Sequence, residues 1–378
     1  MGEDSFAQTI DLENWMKKLP EQIKNTPFIY IAIPGSHDSM TYAITRSSDL
    51  APDAEPILKR LYPLFKGTIL RWTITQSIDA LQQLLMGIRY FDLRLATKTG
   101  TDHFYFTHGV YAGEITEPLH QIKDFINSHP GEVVILDLQH FYGFTADDHQ
   151  KLIRYLLNMF GPKLVPRIQN LQSITLNSLQ RLGQQVVVVY RNPSVQSTGE
   201  LWQSNMLPSP WPQQDSISAL LQFLQNVKRH PGMGFVHQAV LTPTPAFILF
   251  RWLSTLREKC AKPVKNEIYP KLTEFTPGPP KTNGSASVNV VIADFIDLDN
   301  AIFSKTIIQL NYKILSNTNS LFHNNGSLNN ILNLDADPRN IYRLVTLVRP
   351  LFDISNKNIY FLHISSHHLV KDVRLVIR

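Results

Sequence analysis

Apolar positions along the chain follow two rhythms: short, nearly unbroken bursts, and longer stretches in which they return every three or four residues. The bursts at 28–33, 88–96, 103–108, 132–140, 185–190, 234–241 and 287–296 are rich in β-branched and aromatic residues and read as strands. Between them, 75–86 places Ile78, Leu81, Leu84 and Leu85 on one helical face, and 115–129, 147–160, 217–228, 246–259 and 299–315 also read as helices. A short helix at 12–19 precedes the first strand, and a long connection, 41–72, follows it. Seven strands alternating with helices over about 290 residues predict an α/β fold, a closed or nearly closed parallel (β/α) barrel. The competing architecture is an open, doubly wound sheet. The turn after the first strand, Pro34-Gly35-Ser36-His37, lacks the spaced glycines of a dinucleotide-binding fingerprint.

Two segments depart from the alternation. Residues 276–287, TPGPPKTNGSAS, have the composition of a flexible linker. From 316 an Asn/Ser run leads into an apolar stretch at 341–351 and a strand-like one at 359–364. The expected organisation is a lead-in over 1–27, a barrel over 28–315 and a C-terminal extension over 316–378 outside the barrel.

Composition narrows the class. Of 378 residues, 43% are hydrophobic and 10% aromatic, which is ample for a large core and excludes overall disorder. The single cysteine, Cys260, excludes an internal disulfide and any multi-cysteine metal site, and suits a reducing compartment. The chain starts with acidic residues where a signal peptide needs basic ones, and Phe6 stands where a myristoylation signal needs Ser or Thr. No apolar run approaches the roughly 18 residues that span a bilayer. The expectation is a cytoplasmic protein with peripheral contact at membranes. Net charge is +5, and residues 316–378 hold +3 of it, with seven Lys and Arg against four Asp. The nearly neutral body argues against a nucleic-acid partner, which needs a dense basic face.

Candidate chemistry lies at the strand ends. In chain order these carry His37 and Asp38; Asp92 and Arg94; His108; Asp137, Gln139 and His140; Arg191; His237; and Asp294. If the strands are parallel, these ends share one rim, the place where barrels gather ligand sites. Each residue also has a plain structural reading. Asp38 or Ser39 could cap a helix, Asp92 and Asp137 could be paired charges inside the barrel, His140 and His237 ordinary rim histidines, and Arg191 the cover of a helix end. Together, two histidines with carboxylate neighbours and an arginine suit in-line phosphoryl chemistry. One imidazole removes a proton from the nucleophile, the other protonates the leaving oxygen, and the guanidinium offsets charge on phosphorus. Hydrolysis by a hard cation held on Asp38, Asp92 and Asp137 is the rival. Arg94, two residues from Asp92 on the same strand face, argues against it.

The motifs IPGSHDS, GIRYFDLR, THG, VVILDLQH and IADFI, in this order, resemble the X-domain phospholipases C specific for phosphatidylinositol, especially the animal X-domain-containing proteins that lack further modules. The likeness covers roughly 20–315. It implies a distorted TIM-type barrel that needs neither metal nor other cofactor. The implied reaction is attack of the inositol 2-hydroxyl on the adjacent phosphorus, releasing diacylglycerol and a cyclic inositol phosphate. By the same resemblance His37 is the general base and His108 the general acid, Asp294 orients His37, and Asp38 pairs with His108. Arg94, with Asp92 before it, stands where larger relatives hold a calcium ligand. Arg191 matches an arginine that bonds inositol hydroxyls, with Gln139, Asp137 and His140 on the same substrate-binding side. Gln139 departs from the pattern, replacing a charged residue with an amide. An alternative function follows from that departure: a catalytically weak barrel that binds inositol phosphates or membranes as a scaffold or sensor. A metal-dependent glycerophosphodiesterase is a third. For membrane contact, the basic and aromatic residues of 59–72 and the Trp202 to Trp211 loop are the candidates, unless those aromatics pack beneath their own loops.

Overall fold

Pattern and structure agree most closely at the second strand, β2 (Tyr90–Thr97), which carries neighbours on both edges. The structure, a computed structural model, describes residues 10–316. The stretches read at 341–351 and 359–364 lie outside the described residues. The other strands are β1 (Ile33–Ser36), β3 (Phe104–Thr107), β4 (Tyr111–Glu114), β5 (Val134–Tyr142), β6 (Val186–Tyr190), β7 (Val236–Gln238) and β8 (Val290–Ala293). Six of them pair in parallel in the order β6-β5-β2-β1-β8-β7.

No ladder among the described residues joins β6 to β7, and the span 201–208 fills that gap. Trp202 N donates to Val188 O at 2.8 Å and Tyr190 N to Trp202 O at 2.9 Å, while Gly234 N and Val236 N each reach Met206 O and Pro208 O, respectively, at 2.9 Å. One irregular segment thus hydrogen-bonds both neighbours, and the ring is a distorted TIM-type barrel. Because side chains alternate along a strand, Tyr90, Ile135, Val187 and Ile292 join an inner cluster, while Phe91, Leu93, Leu136 and Val188 join an outer one under the helices.

Several expectations are corrected. The apolar run 28–33 does not form the first strand: Phe28–Tyr30 is a 3-10 turn, and β1 begins at Ile33 and includes the Pro-Gly pair expected to stop it. Pro34 is tolerated because its carbonyl faces β2, accepting from Arg89 N at 2.9 Å at the start of that pairing, so the missing N–H breaks no ladder bond. Gly35 is required, since a Cβ there would sit 2.7 Å from the Tyr90 ring and 2.9 Å from Ile292. The strand expected at 103–108 is antiparallel to β2 and forms a hairpin with β4, which the pattern did not reveal. This hairpin takes over the edge of β2 beyond the point where β1 ends. Within 41–72 lies an unexpected helix, Pro56–Thr73, disguised by an internal proline, Pro63, and kinked at Phe65. The 276–287 segment is not a free linker. Ser285 and Ala286 are buried, and Arg229 Nη1 donates to Gly278 O and Ser287 O at 3.2 Å. The helix expected over 246–259 stops at Leu249, and Arg71 holds the Trp252 and Ser254 carbonyls at 3.1 and 3.3 Å.

Candidate active site

The chain leaves β1 at Ser36 and turns sharply, with Asp38 at a φ of 41°. Aspartate tolerates this left-handed conformation better than most residues, at a strain of about 1 kcal/mol or more. Surrounding hydrogen bonds over-determine the turn: Asp38 N donates to Asp92 Oδ2 (3.2 Å), and Thr75 Oγ1 lies 3.1 Å from both the His37 and Asp38 carbonyls. Gln76 Nε2 donates to His37 O (3.0 Å) and Ala293 O (2.9 Å), stapling the ends of β1 and β8 together. Sequence reasoning passed over Thr75 and Gln76, which the pattern shows only as part of the polar run Thr75-Gln76-Ser77 ahead of Ile78.

This turn brings His37 Nδ1 to 2.8 Å from Asp294 Oδ1 at the end of β8. On the other side of its ring, Nε2 lies 3.3 Å from Asp38 Oδ2, 3.4 Å from Arg94 Nη2 and 3.8 Å from Asp92 Oδ2. His108 follows β3 in the hairpin turn rather than ending a parallel strand, and its Nε2 meets the same Asp38 oxygen at 3.2 Å. Its Nδ1 lies 2.7 Å from Thr73 O. The two imidazoles therefore share one carboxylate oxygen, and Arg94 Nε stands 2.6 Å from the other, Asp38 Oδ1. Trp211 closes over this group, its ring 5.3 Å from that of His37 and 5.9 Å from the Arg94 guanidinium.

Burial opposes the charged form of His37, but Asp38, Asp294 and Asp92 outweigh it and raise its pKa to about 9. Burial likewise works against ionised Asp38, yet Arg94, His108 and His37 hold it at about 2. Asp92 has burial and the Asp38 charge acting together, which push it up to about 6. Their surroundings thus push the two carboxylates in opposite directions, Asp38 down and Asp92 up.

His37, Asp38 and Asp92 offer three donor atoms within 4.8 Å of one another, the minimum for a metal ligand set. They fit a divalent cation poorly, because Arg94 already lies against both Asp38 and His37.

A second group sits beside the first. Asp137 receives Arg191 Nε and Nη2 at 2.7 Å each and Tyr90 Oη at 2.8 Å, and Gln139 Nε2 reaches Tyr90 Oη at 3.1 Å. Gln139 is the extra residue of a bulge: Leu93 opposes Leu138, but Arg94 opposes His140. His140 is exposed and stacks on Tyr142 at 5.9 Å. His237 is not part of the cluster; it is buried between Phe235 and Phe275, with its pKa pushed down to about 3 by burial. Trp202 is buried too, donating its Nε1–H to Val165 O at 3.0 Å, so it offers nothing to a membrane.

The barrel shares its fold with bacterial phosphatidylinositol-specific phospholipases C. It is similar to the enzyme from Listeria monocytogenes, with a TM-score of 0.51 and 18% identity over 79% of this chain and 98% of that one. A Staphylococcus aureus F249X mutant of the corresponding enzyme gives a TM-score of 0.53 and 18% identity over 79% and 97%. The family model for the phosphatidylinositol-specific phospholipase C X domain matches residues 71–192. Among relatives, PI-PLC X domain-containing protein 3 of Mus musculus is 35% identical over 82% of this chain and 97% of its own length. PI-PLC X domain-containing protein 1 of Homo sapiens is 33% identical over 80% and 93%. The chain belongs to the PI-PLC X domain-containing protein family.

Proposed function

We propose that the protein is a phosphoric diester hydrolase that cleaves an inositol phospholipid by metal-independent acid and base catalysis. The observation that carries this reading is the pair of imidazoles on Asp38 Oδ2 with Arg94 against the other oxygen. Asp294 holds the His37 proton on Nδ1, so once the ring, with its pKa raised to about 9, is neutral, Nε2 is the atom that takes the proton from the inositol 2-hydroxyl. As that oxygen attacks phosphorus, charge grows on the phosphoryl oxygens, and Arg94 is the cation placed beside them. His108 Nδ1 faces a carbonyl and Nε2 a carboxylate, an arrangement that suits a ring protonated on both nitrogens. Its Nε2 proton goes to the departing glycerol oxygen. The products are diacylglycerol and a cyclic inositol phosphate. Arg191, Asp137 and Gln139 supply hydrogen bonds to the inositol hydroxyls.

Incubating the purified protein with phosphatidylinositol vesicles in excess chelator tests this. Diacylglycerol release is expected; a requirement for added divalent cation rejects the mechanism. One observation favours a second reading, a binding barrel with little turnover: Gln139 brings no charge, and the charge of Arg191 is already matched by Asp137. Vesicle binding with no product from any inositol lipid decides for it.

A lipid substrate requires membrane contact. No helix among the described residues is long and apolar enough to cross a membrane. The exposed apolar side chains instead cluster on two segments tied together by Arg71: Leu64 and Phe65 on one, and Leu249, Phe250, Trp252 and Leu253 on the other. Phe250 is 82% and Leu253 75% exposed, far more than packing requires. This surface, rather than the Trp202 to Trp211 loop, is the proposed bilayer contact. Replacing Phe250 and Leu253 together with Asp should abolish co-sedimentation with vesicles; unchanged binding rejects it.

A further inference from the structure

A cavity of about 370 Å³ opens beside the two imidazoles. His37, Arg94, His108 and Asp294 line it, together with Ile69 and Trp72 from the Pro56–Thr73 helix and Leu241, Pro243, Ile248 and Leu256 from the segment after β7. Arg191, Asp137 and Gln139, to which the inositol ring is assigned, are not in its lining. The cavity therefore belongs to a different part of the substrate.

We propose that it is a subsite for the leaving alcohol, taking the glycerol and the first carbons of an acyl chain. The inference rests on the phosphodiesterase reading. A general acid must lie within hydrogen-bond reach of the oxygen it protonates, so whatever that oxygen carries begins at His108 Nε2. The space that starts there has hydrocarbon walls, and Asp53, Glu55, Thr68, Thr73 and Tyr142 line it too. The polar groups suit the glycerol hydroxyl and the ester, and the hydrocarbon suits the first carbons of the chain. The volume is at the small end of ligand pockets, which run from about 300 to 1,000 Å³, too little for two whole chains. Ile69 and Ile248 lie on the same two segments as the exposed Leu64, Phe65, Leu249 and Phe250. A chain leaving the cavity between them would rejoin the bilayer.

The test uses the full chain and substrates that stay monomeric in water: glycerophosphoinositol, then 1-butanoyl and 1-hexanoyl lysophosphatidylinositol. The expected kcat/KM rises by about fourfold per added methylene over the first few carbons and then levels off. Ile248→Trp, which fills the cavity from one wall, should lower the ratio of kcat/KM for the hexanoyl substrate to that for glycerophosphoinositol by about tenfold, or about 1.4 kcal/mol. Ile69→Trp does the same from the Pro56–Thr73 helix and replaces the first variant if that one does not fold. A flat chain-length profile, or an unchanged ratio in a folded variant, overturns the subsite while leaving the phosphodiesterase reading intact. Absence of turnover of every substrate overturns the phosphodiesterase reading, and the subsite with it.

Discussion

Two arginines five positions apart in sequence, Arg89 and Arg94, make buried ion pairs of opposite character. Arg89 and its partner Glu132 are fully buried. Arg89 Nε donates to Glu132 Oε2 at 2.9 Å, Nη1 to Leu84 O and Ile88 O at 2.8 Å, and Nη2 to Leu12 O and Glu13 O. Glu132 in turn accepts from the backbone of Met16 and Lys17. This pair anchors residues 12–17 to the foot of β2. Arg94 and Asp38 are as close, but neither Asp38 oxygen nor Arg94 Nε has a hydrogen bond of good direction, and Asp92 Oδ1 has none either. A saturated buried pair holds a fold; an under-satisfied one keeps its charge available for a ligand. The foot of β2 thus supports structure, and its far end holds buried charge that its neighbours leave under-satisfied.

Substitutions can break this contrast. At the mouth, His37→Ala or His108→Ala should each cut turnover by about 10²- to 10⁴-fold, and Arg94→Met by about 10²- to 10³-fold. The His37 and Arg94 variants should also lose stability near neutral pH, because each leaves the buried Asp38 charge short of a partner, but by less than Arg89→Met. A loss as large as that one would mean the mouth is structural after all. At the foot, Arg89→Met strands the Glu132 charge and should destabilise by about 3–5 kcal/mol, measured by denaturant unfolding, with normal turnover per folded molecule. A smaller effect is expected on pH dependence. If neutral His37 is the base, kcat/KM should climb with pH toward about 9. Asp294→Asn removes a charge that raises the His37 pKa, so the climb should move to lower pH. The linked stability has a definite sign: a raised imidazole pKa stabilises the fold below about 6.5, and that contribution is lost as pH rises through about 9. The Asn variant should show less of this loss, and an unmoved profile would remove His37 as the base.

Much of the site was legible because its residues end apolar strands. Asp92, Arg94, Asp137 and Arg191 are carried by β2, β5 or the end of β6, where alternation alone sends them inward. His37 and Asp294 needed only the parallel pairing of β1 with β8. His108 reached the site by a different route, from a hairpin turn held by Asp53, which accepts from Thr107 Oγ1 and Gly109 N at 2.6 Å. Asp53 lies far from His108 in sequence, so local pattern could not reveal the link. The helix at Pro56–Thr73 lies in what the pattern shows as a long connection, because Pro63 and Gly67 are poor helix formers, while tertiary packing of its apolar residues overrides that weak local preference. His237 takes a structural role instead: a strand-end histidine that buries its ring among phenylalanines.

By itself the sequence determined the alternation of strands and helices, the inward set of charged residues, and the motif order that marks the family, since all three depend on spacing along one chain. Only the tertiary structure decided that both imidazoles meet one carboxylate oxygen, that Arg94 lies against the atoms a cation would use, and that Trp202 is buried while Phe250 is bare. Those outcomes depend on distances between segments far apart in the chain, and the periodicity of a segment fixes which face it buries, not what it will be buried against.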